Sequence, residues 1–364
     1  MTAERRMISL APSKKWRFLK FLLALALLLV VAAAVGWKLM IEMPGSSYQG
    51  PLTPLAAKDQ TLRDELRKDV EHLALTIGDR NVDRYDALCE AARYVESQLL
   101  AAGYEVDRQT YQARERDCFN LQVELVGRTR PEEIVVVGAH YDSFPGAPGA
   151  NDNASGTAAL LALARRFAKA QPERTLRFVA FTNEEPPYFH NREMGSWIYA
   201  DQCAQRKENL VCVLSLETIG YFSDEPESQQ YPPPFGAAYP SVGNFIAVIG
   251  DVGSRKLVRE VIASFRRHAA VPSEGGAVPS AVPGTGWSDH WSFWQAGYPA
   301  VMITDTAPFR YPYYHTPEDL PDKLDFDRMA RVVAALEGVV GEFAGAKAAA
   351  DKDGSEGVTP HGRR

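Results

Sequence analysis

A chain of 364 residues with 46% hydrophobic and 24% charged side chains has ample material for one large domain or two modest ones, which excludes an intrinsically disordered protein. Its formal net charge of −6, with no basic stripe in the part that reads as folded, argues against a nucleic-acid partner. Four cysteines, Cys89, Cys118, Cys203 and Cys212, lack the CxxC spacing of a thiolate zinc site and leave free thiols and disulfides both open.

From Phe21 to Trp37 the stretch FLLALALLLVVAAAVGW carries no charge over about seventeen residues, near the lower limit for a membrane-spanning helix. Arg5, Arg6, Lys14, Lys15, Arg17 and Lys20 precede it. Such charge stays on the cytoplasmic side, so everything after Lys38 is expected outside the inner membrane, on its periplasmic or extracellular side. The reading is a basic cytoplasmic tail at 1–17 and a single signal anchor at 18–41, with a cleaved signal peptide, suggested by the Ala run at 32–34, as its competitor. A Pro-, Gly- and Ser-rich linker at 42–54 reads as an extended spacer. Beyond it, apolar residues recur at helical spacing over 55–77, and DALCEAARYVESQLLAAGY reads as a second amphipathic helix ending at Gly103. The folded domain is expected over 55–345, and the tail at 346–364, poor in bulky apolar residues, reads as disordered.

Within that domain strands and helices alternate. EIVVVGAH, TLRFVAFTNEE, LVCVLSLETIG and PAVMITD read as strands. ASGTAALLALARRFA, MGSWIYADQCA, RKLVREVIASFRRHA and DFDRMARVVAALEGVVGEFA read as helices. Continuous Val/Ile/Leu runs alternating with helices imply an α/β fold, a three-layer α/β/α sandwich around a mostly parallel mixed sheet. Ligands of such sheets bind at the carboxyl ends of the strands.

Those ends carry metal-capable side chains. The first strand stops at His140, the following helix opens near Asp152, the second strand runs into Glu184 and Glu185, and the third ends at Glu217. His315 follows the last strand in YPYYHTPEDL. Imidazole and carboxylate together suit zinc, and two ions sharing a carboxylate can clamp a water and a substrate carbonyl. Asp152 is the expected bridge, with Gly149 and Gly156 letting the backbone pass close and the helix dipole favouring its charge. One ion is assigned to His140, Asp152 and Glu217, the other to Glu185, Asp152 and His315, and Glu184 remains as general base. Asp142, in HYD, is expected to orient His140, and Asp289 to support a ligand that the sequence does not single out. His290 and His190 read as pocket neighbours, while Trp287, Trp291, Phe293, Trp294, Tyr111, Tyr221 and Tyr311 read as packing residues.

The ordered set GAHYDS, GANDNASG, FTNEE with MGS downstream, LETIGY, SDHWSFW and YYHTPEDL resembles the di-zinc aminopeptidase family of clan MH, whose related branches include glutamate carboxypeptidase, transferrin receptor and glutaminyl cyclase. The resemblance covers roughly Leu55 to Ala344. It implies the same five ligands, Glu184 as base, Tyr314 as hydrogen-bond donor to the oxyanion, and a cis peptide after Asp152. It also implies a peptide substrate, hydrolysed at its N-terminal bond by a metal-bridging water that Glu184 deprotonates. The family commonly has aspartate where Glu217 stands, so the longer side chain bears on metal spacing. Two alternatives follow from the same resemblance: a single-zinc glutaminyl cyclase, a branch with tryptophan where Tyr314 stands, and a membrane-tethered binding ectodomain without catalysis.

Overall fold

The computed structural model of the protein describes residues 14–348, and the chain divides after Glu42 into two units. In the first, helix α1 (Lys14–Ile41) starts ahead of the expected boundary at residue 18. Its 28 residues span about 42 Å, enough to cross a bilayer by length and composition, and none of its side chains is buried. Residues 1–13 and 349–364, which hold most of the expected cytoplasmic tail and C-terminal tail, lie outside the described residues.

The second unit follows the alternation in the sequence. Helix α2 (Ala57–Glu71) runs on through a wider turn to Ile77, and α3 (Tyr85–Ala101) ends just before Gly103, whose φ of 96° suits glycine alone. Strands β1 (Asp107–Ala113) and β2 (Arg116–Leu125) form a hairpin. Then come β3 (Arg130–His140), α4 (Gly156–Phe167), β4 (Arg174–Phe181), α5 (Gly195–Gln205), β5 (Asn209–Glu217), β6 (Ile246–Gly250), α6 (Arg255–His268), β7 (Ser273–Ala277), α7 (His290–Gln295), β8 (Ala300–Thr304) and α8 (Phe326–Ala344).

The sheet order is β1-β2-β4-β3-β5-β8-β6-β7. β4, β3, β5 and β8 are mutually parallel; β2 and β6 flank them antiparallel, and β7 runs parallel to β6. The parallel centre is buried on both faces, and alternate residues of β3 show why its run is continuous. Val135, Val137 and Ala139 join the large core under α2, α3, α4, α6 and α8, whereas Ile134 and Val136 join the smaller core with Phe181, Tyr199 and Phe293 under α5 and α7. At Gly138 a Cβ would stand 2.4 Å from the Phe181 ring, so the second layer needs glycine there.

Several expectations change. β1, β2, β6, β7 and α7 were not anticipated: β7, SEGGA, has no apolar alternation, and α7, HWSFWQ, is too short for a helical period. β4 stops at Phe181, so Glu184 and Glu185 lie in the loop beyond it. The linker is docked rather than a free spacer, because Arg266 on α6 donates to the carbonyls of Pro44 and Gly45 at 3.1 Å each, and Ser47 Oγ accepts from Ser273 N at 2.8 Å. All four cysteines are free thiols.

Candidate metal centre and active site

Parallel β3, β4 and β5 bring their carboxyl ends to one rim, and the loops leaving them converge there. His140, the last residue of β3, is fully buried, and its backbone carbonyl accepts a 2.7 Å bond from Thr157 Oγ1 on α4. Its Nε2 lies 3.1 Å from Glu217 Oε2 and 3.4 Å from Asp152 Oδ1. On the other side of Asp152, Oδ2 lies 3.0 Å from His315 Nε2, which is 3.4 Å from Glu185 Oε2. Thus His140, Asp152 and Glu217 form one trio and Asp152, Glu185 and His315 another, with Asp152 offering one oxygen to each.

Asp152 is not in the first turn of α4, as the helix-dipole argument assumed. It sits in a separate turn over Ala150–Ser155, and its peptide bond to Asn153 is cis, as the resemblance implied. At Gly149, φ is 61° and a Cβ would stand 2.3 Å from the Asp152 carbonyl oxygen, so only glycine fits. Asn153 ties this turn to the end of β5: its Nδ2 donates to Leu216 O at 2.8 Å and its Oδ1 accepts from Thr218 N at 3.0 Å.

Donor chemistry and spacing both fit zinc. Two ligands at 2.0–2.1 Å from a tetrahedral ion lie about 3.4 Å apart, close to the separations within both trios. Glu185 Oε1 and His315 Nε2 are buried without a hydrogen-bond partner, and four buried carboxylates, Asp152, Glu184, Glu185 and Glu217, crowd two imidazoles. Burial pushes Glu184 and Glu185 well above the usual carboxylate range and Glu217 up to about 7. Such a concentration of buried negative charge calls for cations.

Glu184 belongs to neither trio, with Oε2 at 3.9 Å from His140 Nε2. Asp142 accepts the backbone N–H groups of Glu184 and Glu185, each at 3.2 Å, and its Oδ1 lies 3.5 Å from His140 Nδ1. It therefore fixes the glutamate pair as much as the histidine. Tyr314 stacks on His315 with ring centroids 3.7 Å apart, and Phe144 stacks on the same imidazole at 4.0 Å. Burial and the surrounding carboxylates hold the Tyr314 hydroxyl well above its ordinary pKa, so it stays a donor.

Asp289 is buried near enough to His140 and Asp142 to respond to their charge, and burial lifts its carboxyl to about 7, but it bonds none of the five candidate ligands. Its neighbour Ser288 does, donating to Glu217 Oε2 at 2.7 Å. His190 and His290 donate from Nε2 to Gly286 O and Thr285 O at 2.7 Å each.

Beside the trios lies a cavity that opens to solvent, lined by Glu217 and Tyr314 together with Tyr231, Tyr239, Trp287 and Phe309. Trp287 corrects its reading as core: it is 42% exposed and faces Phe309 at 6.4 Å. Tyr311 also does more than pack, donating to Asp319 Oδ1 at 2.8 Å, while Tyr111 accepts from Asn183 Nδ2 at 3.0 Å. Ser288 and Asp319 escaped the sequence reading, although both sit inside quoted motifs, SDHWSFW and YYHTPEDL.

A sequence profile of peptidase family M28 matches residues 120–340, the stretch that carries every residue of both trios. The chain belongs to peptidase family M28. It is similar to the uncharacterized protein YfbL of Escherichia coli, 36% identical over 292 residues, 78% of this chain and 88% of that one. A probable leucine aminopeptidase of Arthroderma benhamiae is 25% identical, spanning 83% of this chain and 78% of its own. Among solved structures, the LapA aminopeptidase of Legionella pneumophila has the same fold with a TM-score of 0.62, at 18% identity over 81% of this chain and 77% of that one.

Proposed function

We propose that this M28 protein is a membrane-anchored aminopeptidase that removes large apolar residues from peptide N-termini, holding two zinc ions through His140, Asp152 and Glu217 and through Asp152, Glu185 and His315. The observation that carries the reading is Asp152, whose Oδ1 lies 3.4 Å from His140 Nε2 and whose Oδ2 lies 3.0 Å from His315 Nε2, each imidazole being grouped with its own glutamate. When bound, the zinc pair supplies Lewis acidity and lowers the pKa of water to about 7.

The chain's own groups do the rest. Glu184, outside both trios and beside His140, takes the proton of the attacking water and returns it to the leaving amine. Tyr314 donates a hydrogen bond to the oxygen that gains charge. Ser288 and Asp142 hold Glu217 and the glutamate pair in place. A free α-amino group held by a carboxylate beside the zinc pair favours exopeptidase over internal cleavage, and the adjoining aromatic cavity accepts the first side chain. α1 serves as a signal anchor, with the preceding basic residues on the cytoplasmic side and the peptidase domain on the periplasmic or extracellular side.

Glutaminyl cyclisation is the nearest rival, and the tyrosine at 314 and the complete second trio favour hydrolysis. The test uses the full chain in detergent. Two zinc ions per chain with release of amine from phenylalanyl or leucyl anilides is the expected result. One zinc with cyclisation of N-terminal glutamine, or no zinc and no turnover, overturns it.

A further inference from the structure

We infer that Arg80 and Asp319 form a two-sided backbone clamp that positions Asp152, the carboxylate common to both trios. The inference rests on the reading of those trios as zinc ligands. Both clamp residues are completely buried, and they grip the segment 148–152 peptide by peptide. Arg80 donates from Nη1 to Pro148 O and from Nη2 to Gly149 O at 2.9 Å. Asp319 then takes over: its backbone carbonyl accepts from Ala150 N at 3.2 Å, Oδ1 from Asn151 N at 2.8 Å, and Oδ2 from Asp152 N at 3.1 Å. The carbonyls of two successive residues are held from one side and the amides of the next three from the other.

Each jaw is anchored in turn. Arg80 Nε donates to Tyr141 O at 2.7 Å, beside His140, and Nη1 donates to Gly78 O at 3.1 Å and Leu73 O at 3.3 Å. The guanidinium thus bonds only carbonyl oxygens, and a buried cation so placed persists because Asp142, Asp152, Glu185 and Asp319 surround it. Asp319 is fixed by the Tyr311 hydroxyl and follows His315 in the same loop, so one short segment carries a ligand of the second trio and the anchor of the bridging residue. The turn leaves no room for a side chain at Gly149, where a Cβ would stand 2.3 Å from the Asp152 carbonyl oxygen.

The clamp is tested in the full chain with Asp319→Asn, which leaves one of the two backbone amides without an acceptor, and with Arg80→Lys, which keeps the charge but loses the fork. Zinc is stripped, and its affinity at each site is measured by competition with a chromophoric chelator; the visible spectrum of the cobalt-substituted protein reports ligand geometry. Because Asp152 is shared, both variants are expected to weaken both sites together by about 10–100-fold and to alter the cobalt spectrum. Tyr311→Phe, which loosens Asp319 without removing its amide bonds, is expected to move the same way by less; it decides the matter with Asp319→Asn if Arg80→Lys does not fold. A lower melting temperature with unchanged zinc affinity and an unchanged cobalt spectrum overturns the clamp. A wild-type chain that binds no zinc pair instead overturns the ligand assignment beneath it.

Discussion

Replacing Glu184 by glutamine isolates the proton-transfer role. The amide is almost isosteric and leaves both trios intact, because Glu184 is a member of neither. What it removes is a carboxylate that burial makes more basic than usual, close to His140 at 3.9 Å. A positioned general base contributes about 10²–10⁴-fold, or roughly 3–5 kcal/mol of barrier. Glu184→Gln should therefore lower kcat on a phenylalanyl anilide by at least about 100-fold, with KM changed only a few-fold. Zinc content, measured on the same sample, should stay at the wild-type value. A variant that keeps kcat within about tenfold of wild type, or that loses zinc, refutes the assignment of Glu184 as a base that binds no metal.

Tyr314→Phe should lower kcat by about 10²–10³-fold while the chain stays folded and metal-loaded, as expected for loss of one donor to a developing oxyanion; an effect confined to KM would make Tyr314 a binding residue instead. Trp287→Ala removes one wall of the aromatic cavity, so kcat/KM should fall roughly 5- to 30-fold for phenylalanyl substrates, about 1–2 kcal/mol, and stay level for alanyl ones. Equal losses on both would detach Trp287 from side-chain recognition. Asp305 concerns stability: burial lifts its carboxyl to about 7, above its unfolded value near 3.9, so the native state keeps a proton that the unfolded chain releases. Its contribution is full below about pH 4 and is lost as pH rises through 7. Asp305→Asn can keep the contacts from Asn151 Nδ2 and Tyr221 N, and should raise the urea midpoint more at pH 8 than at pH 5; a shift independent of pH contradicts the argument.

His140 and Glu217 were legible because each ends an apolar run, and a polar group at the end of a buried strand needs a partner. The four parallel strands and the main helices were legible for a related reason: their apolar period matches two buried faces. β7 was not, since SEGGA carries no such period and is held by pairing with β6 and by bonds to Ser47, Arg266 and Tyr239.

Local pattern along the chain determined that this is a layered α/β protein with its polar chemistry at the strand ends, and which residue types stand there. The tertiary structure alone decided who supports whom: Ser288 on Glu217, Asp319 on the backbone of Asp152, Arg80 behind Gly149, Trp287 in a cavity wall rather than in the core. The reason is that burial and periodicity are properties of neighbouring residues. These partners are separated by tens to more than a hundred positions, and Asp319 and Arg80 bond backbone groups that every residue possesses, so only the folded topology selects among them.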